Sequence, residues 1–198
     1  KSQTNVVINS LQSAGIPVIE NKLGLFNCSP VQDIISWCQL ICGGIFQDSA
    51  FFRIVEKTYN YEIAYLVFHK YDKKNSQHRY DLIKKDINIQ NRYSKLKTVI
   101  KKVEYFKSIA IKRTAGEMVW DIAQYLKIFQ TKVKRYSFDD HYNLLNLGDF
   151  LKRSQSFSLR NKKKNHINAF NKYLEVVIQS GGLPSLMPKP YNKYQCVN

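Results

Sequence analysis

The sequence predicts an all-α protein, folded as a compact multi-helix domain, and three observations carry that prediction. Apolar residues recur at spacings of three and four along most of the chain, the period of a helix with one face in a core. Two helix-start signals, Ser29-Pro30-Val31-Gln32 and Thr114-Ala115-Gly116-Glu117, stand directly before such apolar runs. Glycine and proline are few, 8 and 5 in 198 residues, and the pairs Gly43-Gly44 and Gly181-Gly182 close helical patterns. With 44% hydrophobic and 13% aromatic residues the chain can bury a sizeable core, which excludes disorder throughout.

Taken in order, Thr4 caps a short helix over residues 5–14, with Val7, Leu11 and Ala14 on one face and Gly15 with Pro17 closing it. A looped connection leads to Asn27. Ser29 is then the expected N-cap of a buried helix, with Pro30 at its first position and Gln32 completing a capping box. Val31, Ile34, Ile35, Cys38 and Ile41 give its apolar face, widened by Trp37 as a core tryptophan. Asp48 or Ser49 caps the following element, which opens with Phe51, Phe52 and Val55. The segment YEIAYLVFHKY (61–71) fits two periods. Tyr61, Ile63, Tyr65 and Val67 alternate like a strand, whereas Ile63, Leu66, Val67 and Lys70 suit a helix, and the lack of turn signals around it selects helix. Polar residues 72–78 read as a loop, and residues 79–89 as a short helix with Leu82, Ile83 and Ile87 apolar.

The most informative stretch is 96–130. Leu96, Val99, Ile100, Val103 and Phe106 form an apolar stripe, while Lys97, Lys101, Lys102 and Lys107 lie off it and would face water or a partner. After a break at 108–113, Thr114 and Glu117 form a capping box. Met118, Val119, Ile122, Ala123, Leu126 and Phe129, with Trp120 beside them, mark the expected central buried helix of the domain. Lys132, Lys134 and Arg135 follow where a helix dipole favours cations. Leu144, Leu145, Leu147, Phe150 and Leu151 make one more short apolar segment. SQSFSLRNKKKNH (154–166) reads as a flexible basic linker, and residues 167–179 as a last helix with Phe170, Tyr173, Leu174, Val177 and Ile178 apolar. The expected organisation is therefore a helical domain over 1–152, a basic linker over 153–166, and a C-terminal helix with an irregular tail over 167–198.

The net charge is +16, distributed as −1 over residues 1–66, +15 over 67–164 and +2 over 165–198. A basic block of this kind implies a polyanionic partner: nucleic acid, an acidic protein surface or anionic lipid. Richness in Lys, Asn, Ile and Tyr also matches an AT-rich coding bias, so part of the lysine excess reads as a plain solvated face. Cys38 and Cys42, one helical turn apart on an apolar segment, are expected as small buried hydrophobes, and with Cys28 and Cys196 they match no disulfide or zinc framework. A reducing, intracellular compartment fits this usage. No run of 18 apolar residues is present, so no transmembrane helix is expected. The chain opens on Lys rather than Met, as expected of a processed or longer chain.

Reaction chemistry is not legible. The histidines at 69, 78, 141 and 166 have no Cys or carboxylate at ligand or catalytic spacing, and Asp139-Asp140-His141 reads as a helix cap or turn rather than an acid/base pair. The two Gly-Gly pairs follow helices and lack the Lys-Ser/Thr of a phosphate loop. The expectation is a non-enzymatic protein with no cofactor.

The order of basic helix, short break, Thr-Ala-Gly-Glu and hydrophobic helix over 96–129 resembles the later part of the divergent calponin-homology-like domains of intraflagellar-transport and kinetochore-type coiled-coil proteins. Those domains often carry a Gly-Glu before a buried helix, as Gly116-Glu117 do here. The beginning is also similar, with a short Leu-containing helix followed, after a loop, by a Trp-containing buried one. The resemblance covers about two thirds of the chain and implies an interaction module that binds microtubules or docks within a cytoskeletal or ciliary assembly. It gives Lys95, Lys97, Lys101, Lys102, Lys107, Lys112 and Arg113 a role at the acidic partner; apart from the resemblance, Lys162, Lys163 and Lys164 of the basic linker read either as an electrostatic arm or as a plain solvated loop. No heptads follow Gly181, so the long coiled coil usual in that group is not expected in this chain. The rival is a nucleic-acid-binding accessory subunit, nuclear in setting, with lysines interleaved among Tyr80, Tyr93, Tyr105, Phe106, Tyr125 and Tyr136, although Phe106 lies on the apolar stripe and most of these rings read as core. The excess of Lys over Arg favours diffuse attraction over base-specific contacts.

Overall fold

Pro30, in a first turn where its missing N–H costs nothing, opens helix α1 (Ser29–Cys42) in the computed structural model of the chain, which describes residues 24–71, 78–130, 138–161 and 166–183. Eight further α-helices follow among the described residues: α2 (Gln47–Thr58), α3 (Tyr61–His69), α4 (Arg79–Lys85), α5 (Ile87–Arg92), α6 (Ser94–Ile109), α7 (Ala115–Tyr125), α8 (Phe138–Arg160) and α9 (His166–Gln179). Short 3-10 turns stand at Leu25–Asn27 and Ile128–Gln130, and no strand occurs among the described residues. The fold class is all-α, as expected. The helix at 5–14, most of the loop at 72–78, the cations at 132, 134 and 135, and the tail from 184 lie outside the described residues.

The hub is α1, not the helix at 115–125. Its buried residues, including Val31, Ile34, Trp37, Cys38 and Leu40, lie all round its circumference, and it packs against α2, α6, α7, α8, α9 and the turn before it. Helix α7 does bury Met118, Val119, Ile122 and Ala123, but Trp120 (44% exposed) and Phe129 (41% exposed) stand outside the core, and Leu126 is the half-buried cap residue. The chain leaves the helix at Tyr125, so the apolar spacing runs on past the turn that ends the buried face.

Several caps differ from those the sequence implies. The N-cap of α1 is Cys28, with no side-chain cap bond; Ser29 lies inside the helix, where its hydroxyl accepts from Lys57 Nζ at 3.4 Å. Helix α2 is capped by Phe46 rather than Asp48 or Ser49. Asp48 instead accepts the Arg79 N–H at 2.8 Å, satisfying the first turn of α4 from a neighbouring helix. Asn60 caps α3, accepting from Ile63 N–H at 2.9 Å, and this bond settles the ambiguous segment as helix. Its inward residues are Ala64, Val67 and Phe68, while Leu66 is exposed. The single helix expected over 79–89 is divided at Asp86, whose side chain caps α5 through Ile89 N–H at 3.1 Å and leaves Ile87 outside.

The capping box of α7 is present in full, with Thr114 N–H donating to Glu117 at 2.8 Å and Glu117 N–H donating to the Thr114 hydroxyl at 3.3 Å. The segment read as a linker is helix as far as Arg160, forming the last turns of α8. Ser154 is fully buried and donates to the Leu151 carbonyl at 2.7 Å, and Phe157 packs on Phe170 of α9. Residues 162–165 lie outside the described residues. Helix α9 buries Ile167, Phe170 and Leu174, and Gly181 and Gly182 close it at φ of +102° and +81°, a conformation that favours glycine. Leu183 then accepts the Leu25 N–H at 2.8 Å, tying the two ends of the described chain together. No described helix is long and apolar enough to cross a membrane.

Candidate polyanion-binding face

Helix α6 carries the lysines because its apolar stripe fixes them. Leu96, Val99, Ile100, Val103 and Phe106 are all buried, so every other position is turned to the rim or away from the core. Lys97 and Lys101, one turn apart, are exposed and make no ion pair with any described residue. Lys95 is exposed on the other flank, its ammonium 5.6 Å from the Tyr59 ring centroid. Lys112 is exposed beyond the helix end.

The remaining predicted cations are engaged within the fold. Lys102 is half-buried, 4.2, 4.6 and 5.0 Å from the ring centroids of Tyr105, Phe106 and Tyr125. Those contacts make it a cation–π clip between α6 and α7. Lys107 lies 3.5 Å from Glu104 and 4.9 Å from the Tyr80 ring. Glu104 also takes Lys84 at 2.7 Å and the Tyr80 hydroxyl at 2.9 Å. Burial raises the Glu104 pKa, but the bonds from Lys84 and Tyr80 and the charge of Lys107 outweigh it and hold the carboxyl below its ordinary value. Arg113 is bridged to Asp121 at 3.4 Å and Glu117 at 3.8 Å. The face expected to carry seven cations over 95–113 therefore reduces to Lys95, Lys97, Lys101 and Lys112 as outward charges. Lys162, Lys163 and Lys164 lie outside the described residues.

Two cations on α2 that the sequence does not single out join this face. Arg53 and Lys57, one turn apart, stand with Lys95 around a cleft of about 370 Å³ between α1, α2, α6 and the end of α7. Trp37, Ile54, Val99, Tyr125 and Leu126 supply its apolar lining. Among the described residues Asp33 is the one carboxylate in the lining, and it is held by Arg53 at 2.7 Å. The i, i+4 spacing of Arg53 and Lys57 on the polar side of an amphipathic run was the available signal, but nothing local links it to α6.

The aromatics interleaved with the lysines are mostly structural, as expected. Tyr80 and Phe106 are buried, Tyr93 and Tyr125 are half-buried, and Tyr136 lies outside the described residues. Only Tyr105 of that set, 51% exposed, offers a ring to the surface among the described residues. Cys28, Cys38 and Cys42 are free thiols. Burial pushes the Cys42 thiol up to about 12, with Glu175 adding to the effect and Lys107 opposing it, and burial likewise raises Cys38. Asp139, Asp140 and His141 fall in the first turn of α8. Among the described residues no group of three or more His, Cys, Asp or Glu side chains converges in a way that could hold a metal ion. No protein-family model matches the chain, and no curated protein matches it.

Proposed function

We propose that this chain is a non-enzymatic interaction module, calponin-homology-like in kind, that docks on an acidic protein surface within a cytoskeletal or ciliary assembly, with the microtubule as the leading partner. The observation that carries it is the display of Lys97 and Lys101, one turn apart on the outward side of a helix whose other side is buried, with Lys95 on its flank. A rigid helix holds these charges without the ordering cost that flexible arms bear on binding. The surrounding carboxylates Glu104, Glu117 and Asp121 are occupied by Lys84, Lys107 and Arg113, so they do not cancel the outward lysines.

The second reading, a nucleic-acid accessory subunit, is supported by Tyr105, an exposed ring beside Lys101 and Lys102. Co-sedimentation with microtubules, run beside binding to duplex DNA and structured RNA across a salt series, separates the two. The expected result is microtubule binding that persists at moderate salt and falls at least about tenfold when Lys97 and Lys101 are both changed to Glu, with helical content unchanged. A nucleic-acid preference that survives moderate salt would establish the second reading, and equal salt-sensitive binding to all three would leave only a basic surface.

A further inference from the structure

The cleft beside the lysine face carries a more specific inference, which rests on the proposed docking to an acidic protein. We propose that it is an anchor pocket for one aromatic or branched apolar side chain in an acidic peptide segment of the partner. The apolar side chain would lie against the half-buried Leu126, over a floor closed by the buried Ile54 and Val99, while the exposed Lys57 and Lys95 would meet the carboxylates that flank it. The volume of about 370 Å³ suits one large side chain with part of its backbone, at the small end of the ~300–1,000 Å³ range of ligand pockets. Among the described residues of the lining, Arg53, Lys57 and Lys95 face a single carboxylate, Asp33, so it has an excess of positive charge that a basic or neutral segment would not satisfy.

The walls also discriminate between peptide and nucleobase. Trp37 is 3% exposed and is met edge-on by Phe106 and Tyr125 at 5.9 and 5.1 Å, so it offers no open face for stacking. The hydroxyls of Ser36 and Thr58 donate to the Gln32 and Ile54 carbonyls at 2.9 and 2.6 Å, so their protons are already used within their own helices. A base placed here would find no open Trp37 face and neither of those hydroxyl donors for its edge. An apolar side chain needs neither.

The test uses the full chain and three fluorescent probes read by anisotropy: a short Glu-rich peptide with a central Phe, the same peptide with Ser in its place, and a short single-stranded DNA. The Phe peptide should bind about tenfold more tightly than the Ser peptide, the gain expected from burying one apolar side chain. Thr98 is exposed at the cleft, and Thr98→Trp should fill the space without removing a charge, abolishing the preference while leaving binding of the Ser peptide and helical content unchanged. Equal binding of the two peptides, or a preference that survives Thr98→Trp, would overturn the anchor pocket and leave the lysine face standing as a charge-only surface. Failure of both peptides to bind at low salt, or tighter binding of the DNA than of the Phe peptide, would overturn the pocket together with the docking proposal.

Discussion

Trp37 and Trp120 both sit in apolar helical patterns, yet burial assigns them opposite weights. Trp37 is 3% exposed among Phe106 and Tyr125, whereas Trp120 is 44% exposed and rests on the Phe129 ring at 5.3 Å. Trp37→Ala should destabilise the fold by about 3–5 kcal/mol, while Trp120→Ala should cost only about 1 kcal/mol, the scale of one exposed aromatic pair. Urea unfolding of the two variants side by side checks this, and equal losses would contradict the orientation of α7. A pH effect belongs at the same scale. The Asp86 carboxylate accepts from the Tyr71 hydroxyl, Lys70 Nζ and Ile89 N–H, and these bonds hold its carboxyl well below the usual carboxylate range. A depressed folded-state value stabilises the protein above the unfolded value of about 4, and the contribution is lost as pH falls further. The stability gap between the wild-type chain and Asp86→Asn should therefore be constant near neutrality and shrink below about pH 4; a gap independent of pH would mean that folding does not hold the carboxyl below its unfolded value.

At the scale of elements, the Thr-Ala-Gly-Glu stretch combines a signal that is local with one that is not. Thr114 and Glu117 satisfy each other's amides, which the spacing alone announces. Gly116 is set by α8: a Cβ added there would lie 3.1 Å from the Gln155 Cα, and its N–H donates to Ser158 Oγ at 2.8 Å. Gly116→Val should thus destabilise by about 1–3 kcal/mol through overpacking at the α7–α8 contact. Thermal unfolding gives the number, and an unchanged midpoint would contradict the close approach. The same contact explains why residues 153–160 read as linker. Ser154 and Ser158 donate to carbonyls three and four residues back, so hydroxyls that look polar in sequence are satisfied inside the helix and can be packed. The stripe of α6 was legible because each apolar position points to one side of the chain, whereas the division of α4 from α5 at Asp86 depended on a cap at a single residue.

Over the whole molecule, α9 is part of the core rather than an appendage. Ile167, Phe170 and Leu174 are buried where α9 meets α1, α7 and α8, and Leu183 bonds back to Leu25. A chain ending at Asn161 should lose stability and unfold less cooperatively than the full chain, because it uncovers apolar surface on α1 at about 25 cal/mol per Å². Calorimetry would show it; an unaltered transition would mean that the C-terminal helix is a separate unit. Charge also acts at this scale. The +15 of residues 67–164 predicts attraction to polyanions, but the fold spends Lys102, Lys107 and Arg113 on aromatic rings and carboxylates and brings in Arg53 and Lys57 from the segment of net charge −1. By itself the sequence determined the all-α class, the inward stripe of α6, the capping box of α7 and the concentration of basic charge, since each follows from spacing within a few residues. Only the tertiary structure decided that α1 is the hub, that Trp120 stands outside, that 153–160 continues a helix, and which lysines remain outward beside a cleft. Those outcomes depend on which side chains meet across helices far apart in the chain, and local periodicity does not encode such partners.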